Sequence, residues 1–350
     1  MRNNEYVLGI VGLGGQGNWH RELIDSIDGL TVAGIYDIAP ERCDFAREKG
    51  VRVYDSRADL LADQEIDIVL IATPNDVHKE IAVEAMRAGK AVVCEKPAMM
   101  SSAEMQEVMD VSAETGKLFV VHQNRRWDED FLTMKKIYDE GMLGEVFKIE
   151  TRVHGSRGIP GDWRQEKEHG GGMVLDWGVH ILDQMALLVP SKIKKVYCRL
   201  DHVTNEIVDD GFLVILSFEN GVTAVLEVGT SNFINLPRWY MLGRDGTAII
   251  EGWHLEGRIV HAQKLDDKDI VPVRTASGIT KTMAPRREDT ISEEPLPVQH
   301  SDIRDFYRNV MDTLGGKAEI KVKNEQVMRI MRLMEACFLS AERNQTVDFE

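Results

Sequence analysis

A chain of 350 residues, 43% apolar and 29% charged, has the profile of a soluble globular protein and the length for two domains. Its formal charge of −16 argues against neutralising nucleic-acid phosphates or an anionic membrane surface. The four cysteines, Cys43, Cys94, Cys198 and Cys337, are too scattered for a metal or disulfide framework, and no apolar run reaches a membrane-spanning length, so a cytoplasmic location is expected.

Residues 6–11 read as a buried strand, and Gly12-Leu13-Gly14-Gly15-Gln16-Gly17 follows at once. A helix is predicted from residue 18 to about 28. This is Gly-x-Gly-x-x-Gly between strand and helix. The first glycine makes a tight turn, the second lets backbone approach a pyrophosphate, and the third lets helix pack on strand. The helix N-terminus then turns its positive end to the phosphates. A second strand, 31–36, ends in Asp37, 20 residues past Gly17. A carboxylate there accepts from ribose hydroxyls and repels a 2′-phosphate, so NAD is expected over NADP. Arg42, close by, softens that preference.

Helices at 41–49, 58–63, 78–88 and about 102–115 alternate with strands at 51–53, 66–72, 91–94 and 118–121. Ser101-Ser102-Ala103-Glu104 is a capping signal for the last of these helices. Such alternation predicts a doubly wound parallel sheet, assigned to a first domain of residues 1–123. Ligands bind such sheets beyond the carboxyl ends of the strands. Gly12–Gly17, Asp37, Thr73-Pro74-Asn75, Lys96 and residues 123–126 all fall there. Lys96 follows a buried strand and precedes a proline. A lysine at that edge can hydrogen-bond a substrate hydroxyl or depress a neighbouring acid; the plainer alternative is a solvated surface lysine.

Residues 124–350 have another character. An amphipathic helix at 129–140 precedes strands at 146–153, 196–203, 212–218 and 222–230. Glu219-Asn220-Gly221 and Arg244-Asp245-Gly246 are hairpin turns, the second joining 239–242 to 247–251. A mostly antiparallel open sheet with helices is predicted, an α+β domain. Gly170-Gly171-Gly172 opens a helix crossing one face of it, with Asp176 and His180 four residues apart on one side. A carboxylate and an imidazole so placed suit proton transfer. Residues 154–164, containing His154, Arg157, Trp163 and Arg164, form a polar loop with an aromatic ring, which suits a sugar or polyol. Residues 266–297 read as a long surface loop. Helices are expected at 302–314 and at 324–343, the second packing back on the first domain.

These motifs resemble the glucose–fructose oxidoreductase/inositol dehydrogenase (Gfo/Idh/MocA) family. The residues carrying the resemblance are Gly12 to Gly17, Ala72-Thr73-Pro74-Asn75-Asp76-Val77-His78, Glu95-Lys96-Pro97, and Gly170-Gly171-Gly172 with Asp176 and His180. The resemblance implies a catalytic set of Lys96, Asp176 and His180. His180 would take the hydroxyl proton, Lys96 would bond the reacting oxygen, and Asp176 would position the substrate. It implies NAD held by Gly12, Gly14, Gly15, Gln16, Gly17, Asp37, Arg42, Thr73, Pro74, Asn75, His78, Glu95, Lys96 and Asn124. It adds Arg126, His154, Arg157, Trp163 and Arg164 to the substrate side. The implied activity is oxidation or reduction of a secondary hydroxyl on a sugar, glycoside or cyclic polyol. Oxidation of a glucosyl C3 with NAD recycled while bound is one form of it. A homodimer or homotetramer through the C-terminal sheet is expected. A silent NAD-binding sensor and a reductase of a non-sugar substrate stand as alternatives. So does a metalloenzyme built on Asp176, His180, His154 and His169, although it leaves the glycine loop unexplained.

Overall fold

A computed structural model describes residues 5–263 and 271–350. The first unit alternates β1 (Tyr6–Val11), α1 (Gly15–Ile24), β2 (Leu30–Tyr36), α2 (Pro40–Glu48), α3 (Arg57–Ala62), β3 (Ile68–Ile71), α4 (His78–Arg87), β4 (Ala91–Cys94), α5 (Ser102–Thr115) and β5 (Phe119–Val121). Its five strands run parallel in the order β2-β1-β3-β4-β5. All residues of β3, β4 and β5 are buried, as strands covered on both faces must be. Ser101 caps α5, its hydroxyl accepting from the Glu104 N–H. The strand order changes direction beside β1, and the carboxyl ends of β1, β3 and β4 all open at that crevice.

The second unit holds α6 (Glu129–Asp139), β6 (Val146–His154), α7 (Val179–Leu188), β7 (Ile193–Asp201), β8 (Gly211–Phe218), β9 (Thr223–Gly229), β10 (Trp239–Gly243), β11 (Gly246–Ile250), β12 (Gly257–Ala262), β13 (Val273–Thr275), β14 (Gly278–Thr280) and β15 (Ile291–Pro295). It closes with α8 (Arg304–Leu314), α9 (Asn324–Arg343) and β16 (Val347–Asp348). Nine strands form one sheet, β15-β12-β11-β10-β6-β9-β8-β7-β16, antiparallel except for the β6–β9 pair. Along β8 and β9 burial alternates residue by residue, with Phe212, Val214, Leu216, Ala224, Leu226 and Val228 facing the helices. Helix α9 packs on α5 and β5 as well as on α7 and β7, so it ties the two sheets together. No helix among the described residues is long and apolar enough to cross a membrane.

Two expectations change. The segment 266–297 is not simply a surface loop. Residues 266–270 lie outside the described residues, but β13 and β14 pair as a small hairpin, and β15 is an edge strand of the large sheet. An edge strand needs only one ladder and tolerates charge and proline, so Glu293, Glu294 and Pro295 hid it from pattern reading. The helix after Gly172 is also not one regular helix. Val174–Gly178 winds as a π-helical turn before α7 begins. Such turns are rare, and frequent at functional sites.

Candidate active site

Strand β1 delivers the chain to Gly12, whose φ is +93°. A Cβ there would lie 2.6 Å from the Ala72 carbonyl oxygen, and one on Gly17 would lie 2.0 Å from the Gly12 carbonyl oxygen. Only glycine permits this turn and this packing. Gly14 caps α1 with no side-chain hydrogen bond, so the first N–H groups of the helix keep their donors free of helical partners. Gly14, Gly15 and Gln16 line a cleft of about 720 Å³. These donors and the dipole end of a ten-residue helix suit a pyrophosphate, so the chain fits a dinucleotide here. Asp37 stands beside this loop, 7% exposed. Its carboxylate accepts from the Leu13 N–H at 2.6 Å and the Ala39 N–H at 2.8 Å, with Arg42 Nη1 at 3.5 Å. It therefore braces the glycine loop, and Arg42 forms the neighbouring wall of the cleft.

The cleft runs along the carboxyl edge of the parallel sheet. Thr73, Pro74, Asn75, Glu95, Lys96 and Asn124 line that side, and Asp162, Trp163, Arg164 and Asp176 line the other. Lys96 and Asp176 join the sides: Nζ donates to Asp176 Oδ1 at 2.8 Å and to its carbonyl oxygen at 3.0 Å. Arg164 Nε lies 3.5 Å from the same Oδ1. Burial acts to raise the Asp176 carboxyl, but the Lys96 ammonium and Arg164 guanidinium outweigh it and hold it below its ordinary value. The turn that carries Asp176 leads into α7 and His180. The imidazole is 4% exposed and packs edge-on against Trp177 at 5.7 Å between ring centroids. Burial, then the charges of Lys96 and Arg125, push its pKa well below the usual histidine range. Its Nδ1 has no hydrogen-bond partner among the described residues. The ring is neutral but does not itself line the cleft, and Nδ1 is enclosed, so a proton from a group brought into the cleft would have to enter at Nε2.

The triple glycine is a packing device. Asn75 Nδ2 donates to the Gly170 carbonyl at 2.9 Å, joining the two units. Cβ atoms would lie 2.7 Å from Met100 Sδ at Gly170, 2.3 Å from the Arg164 carbonyl oxygen at Gly171, and 2.3 Å from Asp209 Oδ1 at Gly172. Asp209 caps the π turn from outside, accepting from the Val174 N–H at 2.7 Å. Burial raises its pKa to about 7 despite the backbone donors.

Several expected residues lie elsewhere. Arg126 is spent on a bidentate ion pair with Asp183, both contacts 2.7 Å, and also reaches Gln326 on α9 at 2.8 Å; it does not line the cleft. His154 follows Glu150 and Arg152 on the sheet face turned away from α7, with Nε2 3.2 Å from Glu227. Arg157 is exposed outside the cleft. His78 is fully buried beneath the floor, its ring nitrogens 3.1 Å from the carbonyl oxygens of Thr73 and Pro97. Asp176, His180, His154 and His169 do not converge as a metal-ligand group among the described residues. Trp19 and Asp162 line the cleft beside the expected residues. Trp19 was within reach, lying on α1 two residues past Gly17. Asp209 had no local signal.

The family model described as "Oxidoreductase family, NAD-binding Rossmann fold" matches residues 7–123, and the GFO/IDH/MocA C-terminal domain matches 131–249. An oxidoreductase of Schizosaccharomyces pombe is 30% identical over 85% of each chain. The scyllo-inositol 2-dehydrogenase (NADP(+)) of Bacillus subtilis is 26% identical over 98% of this chain and 96% of its own. The crystal structure of an NAD-binding protein from Listeria innocua superposes with a TM-score of 0.96, at 49% identity and 99% coverage of both chains. With the glycine loop, the Lys96–Asp176 pair and the two sheets in place, these matches establish that the chain belongs to the Gfo/Idh/MocA family of NAD-binding oxidoreductases.

Proposed function

We propose that the cleft oxidises or reduces a secondary hydroxyl of a cyclic polyol, sugar or glycoside. NAD, when bound, supplies the hydride acceptor or donor. The carrying observation is the Lys96–Asp176 pair across the cleft, with neutral His180 buried behind it. In this reading Lys96 donates to the reacting oxygen and stabilises alkoxide charge as it develops. Asp176 accepts from a neighbouring hydroxyl and orients the ring. His180 takes the hydroxyl proton. Trp163 and Arg164 give an aromatic face and a donor to a polyhydroxylated ring, and Arg164 Cζ already lies 4.7 Å from the Trp163 ring centroid. Asp37, at the end of β2, favours NAD over NADP, although the Bacillus relative is named for NADP(+). The polyol class is supported by relatives named inositol 2-dehydrogenase, 28% identical over 68% of this chain. Tyr240, Leu242, Ile215 and Val225 remain only half-buried on the outer face of the large sheet, and a second copy packing there completes the reading.

The test is a panel of inositols, free sugars and glycosides with NAD and NADP, followed at the reduced-nicotinamide absorbance with product identification. Turnover of at least one secondary alcohol with NAD is expected. A protein that binds NAD yet turns over nothing in the panel, in either direction, contradicts the reading. Because His180 acts unprotonated and its pKa is depressed, kcat/KM should hold through neutral pH and fall only below the usual histidine value near 6.5.

A further inference from the structure

The end of β4 carries a second group of side chains that the chemistry above leaves unused. Glu95 Oε1 lies 2.7 Å from His20 Nε2 on α1 and 2.8 Å from His122 Nδ1 just past β5. Tyr307 Oη, on α8, lies 2.6 Å from His20 Nδ1. Glu95 Oε2 accepts the Lys96 N–H at 3.2 Å. His20, His122 and Tyr307 are fully buried, while Glu95 lies on the cleft wall.

The hydrogen bonds fix which of these groups donate. A carboxylate oxygen only accepts, so both imidazoles donate to Glu95. Burial, then His122, lowers the His20 pKa to about 4, so His20 is neutral and its Nδ1 accepts from the Tyr307 hydroxyl. That bond locks His20 as the Nε2–H tautomer. Burial acts to raise the Glu95 carboxyl, but His122 and His20 outweigh it and hold it well below its ordinary value. The ammonium of the adjoining Lys96 is paired with Asp176. His20, Glu95 and His122 are also the one set of His, Cys, Asp or Glu side chains close enough to hold a metal ion among the described residues. Their spacing is that of hydrogen bonds, whereas tetrahedral zinc ligands bonded at about 2.0–2.1 Å stand roughly 3.3 Å apart.

We propose that Glu95, held anionic by His20, His122 and Tyr307, makes the site favour the cationic oxidised nicotinamide over the neutral reduced one. This rests on the reading that the nicotinamide end of NAD lies beside Lys96. A fixed anion in a partly enclosed cleft attracts a ring charge far more than the same pair would in water. Only oxidised nicotinamide carries that charge, so NADH leaves more readily after the alcohol is oxidised. His20 and Tyr307 act through Glu95 as positioning residues.

Calorimetric Kd values for NAD⁺, NADH and ADP-ribose, on wild type, Glu95→Gln and Tyr307→Phe, test the proposal. ADP-ribose lacks the nicotinamide and reports only the fold and the glycine loop. In Glu95→Gln, NAD⁺ should weaken by about tenfold relative to ADP-ribose, with NADH unmoved. Tyr307→Phe should shift the same ratio in the same direction by less, and it decides alone if Glu95→Gln does not fold. An NAD⁺/NADH affinity ratio equal to that of wild type in the folded variants overturns the proposal. Failure of wild type to bind ADP-ribose overturns the cofactor reading beneath it instead.

Discussion

Of two glycine-rich stretches, one lines the cleft and the other lies behind residues that do, and they do different work. At Gly12–Gly17 the outer positions are closed by protein and the middle is open: a Cβ on Gly15 would meet nothing within 4 Å, and one on Gly14 would come no nearer than 3.6 Å to Arg42. At Gly170–Gly172 a Cβ at any of the three positions would collide with atoms of the protein itself. The first stretch leaves room for a ligand. The second lets Arg164, Asn75 and Asp209 press against the chain that carries Asp176. Each is braced by a buried carboxylate accepting backbone N–H groups, Asp37 for the first and Asp209 for the second. Two stretches alike in composition thus serve a ligand and an internal seam.

Substitutions should separate the two roles. The largest effect on stability is expected for Gly171→Ala, where overpacking against the Arg164 carbonyl should cost about 2–3 kcal/mol and lower Tm by roughly 5 °C. The residual folded protein should still bind ADP-ribose as wild type does, measured by calorimetry beside the melting curve. Loss of binding with unchanged Tm would erase the distinction.

Asp209→Asn should act next, and with a pH signature. The folded carboxyl titrates near 7 and the unfolded one near its ordinary value, so the folded state holds the extra proton between them. Wild-type stability should therefore fall as pH rises from about 4 to about 7. Asn can still accept the Val174 N–H and does not ionise. The variant should be more stable than wild type at pH 8 by on the order of 2 kcal/mol, with no such difference near pH 4. Parallel melting curves in urea across that range check it, and an Asn variant weaker at pH 8 would show that Asp209 is ionised in the fold. Gly14→Ala should be the mildest: Tm within a degree or so, and ADP-ribose weakened by about tenfold because the added methyl stands where backbone meets the pyrophosphate.

The first half of the site was legible because its signals are local. Gly12, Gly17 and Asp37 announce themselves by spacing along β1, α1 and β2, and Lys96 by following a buried strand. The four-residue spacing after the triple glycine brought Asp176 and His180 to attention, and the family motifs their roles, but neither gave the winding between them. The Val174 N–H, in the first turn and without a helical partner, is met by Asp209, 35 residues on, and no local pattern encodes that partner. Arg126 looked free because Asp183 lies 57 residues away in sequence and α9 is farther still. His154 sits at the end of a strand whose alternation was plain, but which face meets α7 is decided by packing. In the sequence Glu95 is one residue of the Glu95-Lys96-Pro97 motif. Its partners come from α1, the end of β5 and α8, and only the folded chain assembles them.

Lys96, reaching across to Asp176, should work in the chemical step and not in holding the cofactor. Lys96→Met, assayed for turnover of the best alcohol in the panel beside the Kd of ADP-ribose, tests it most directly. Turnover should fall by at least about 100-fold while ADP-ribose binding stays within about twofold of wild type. Turnover within a few-fold of wild type, or a loss explained wholly by weaker ADP-ribose binding, would contradict it.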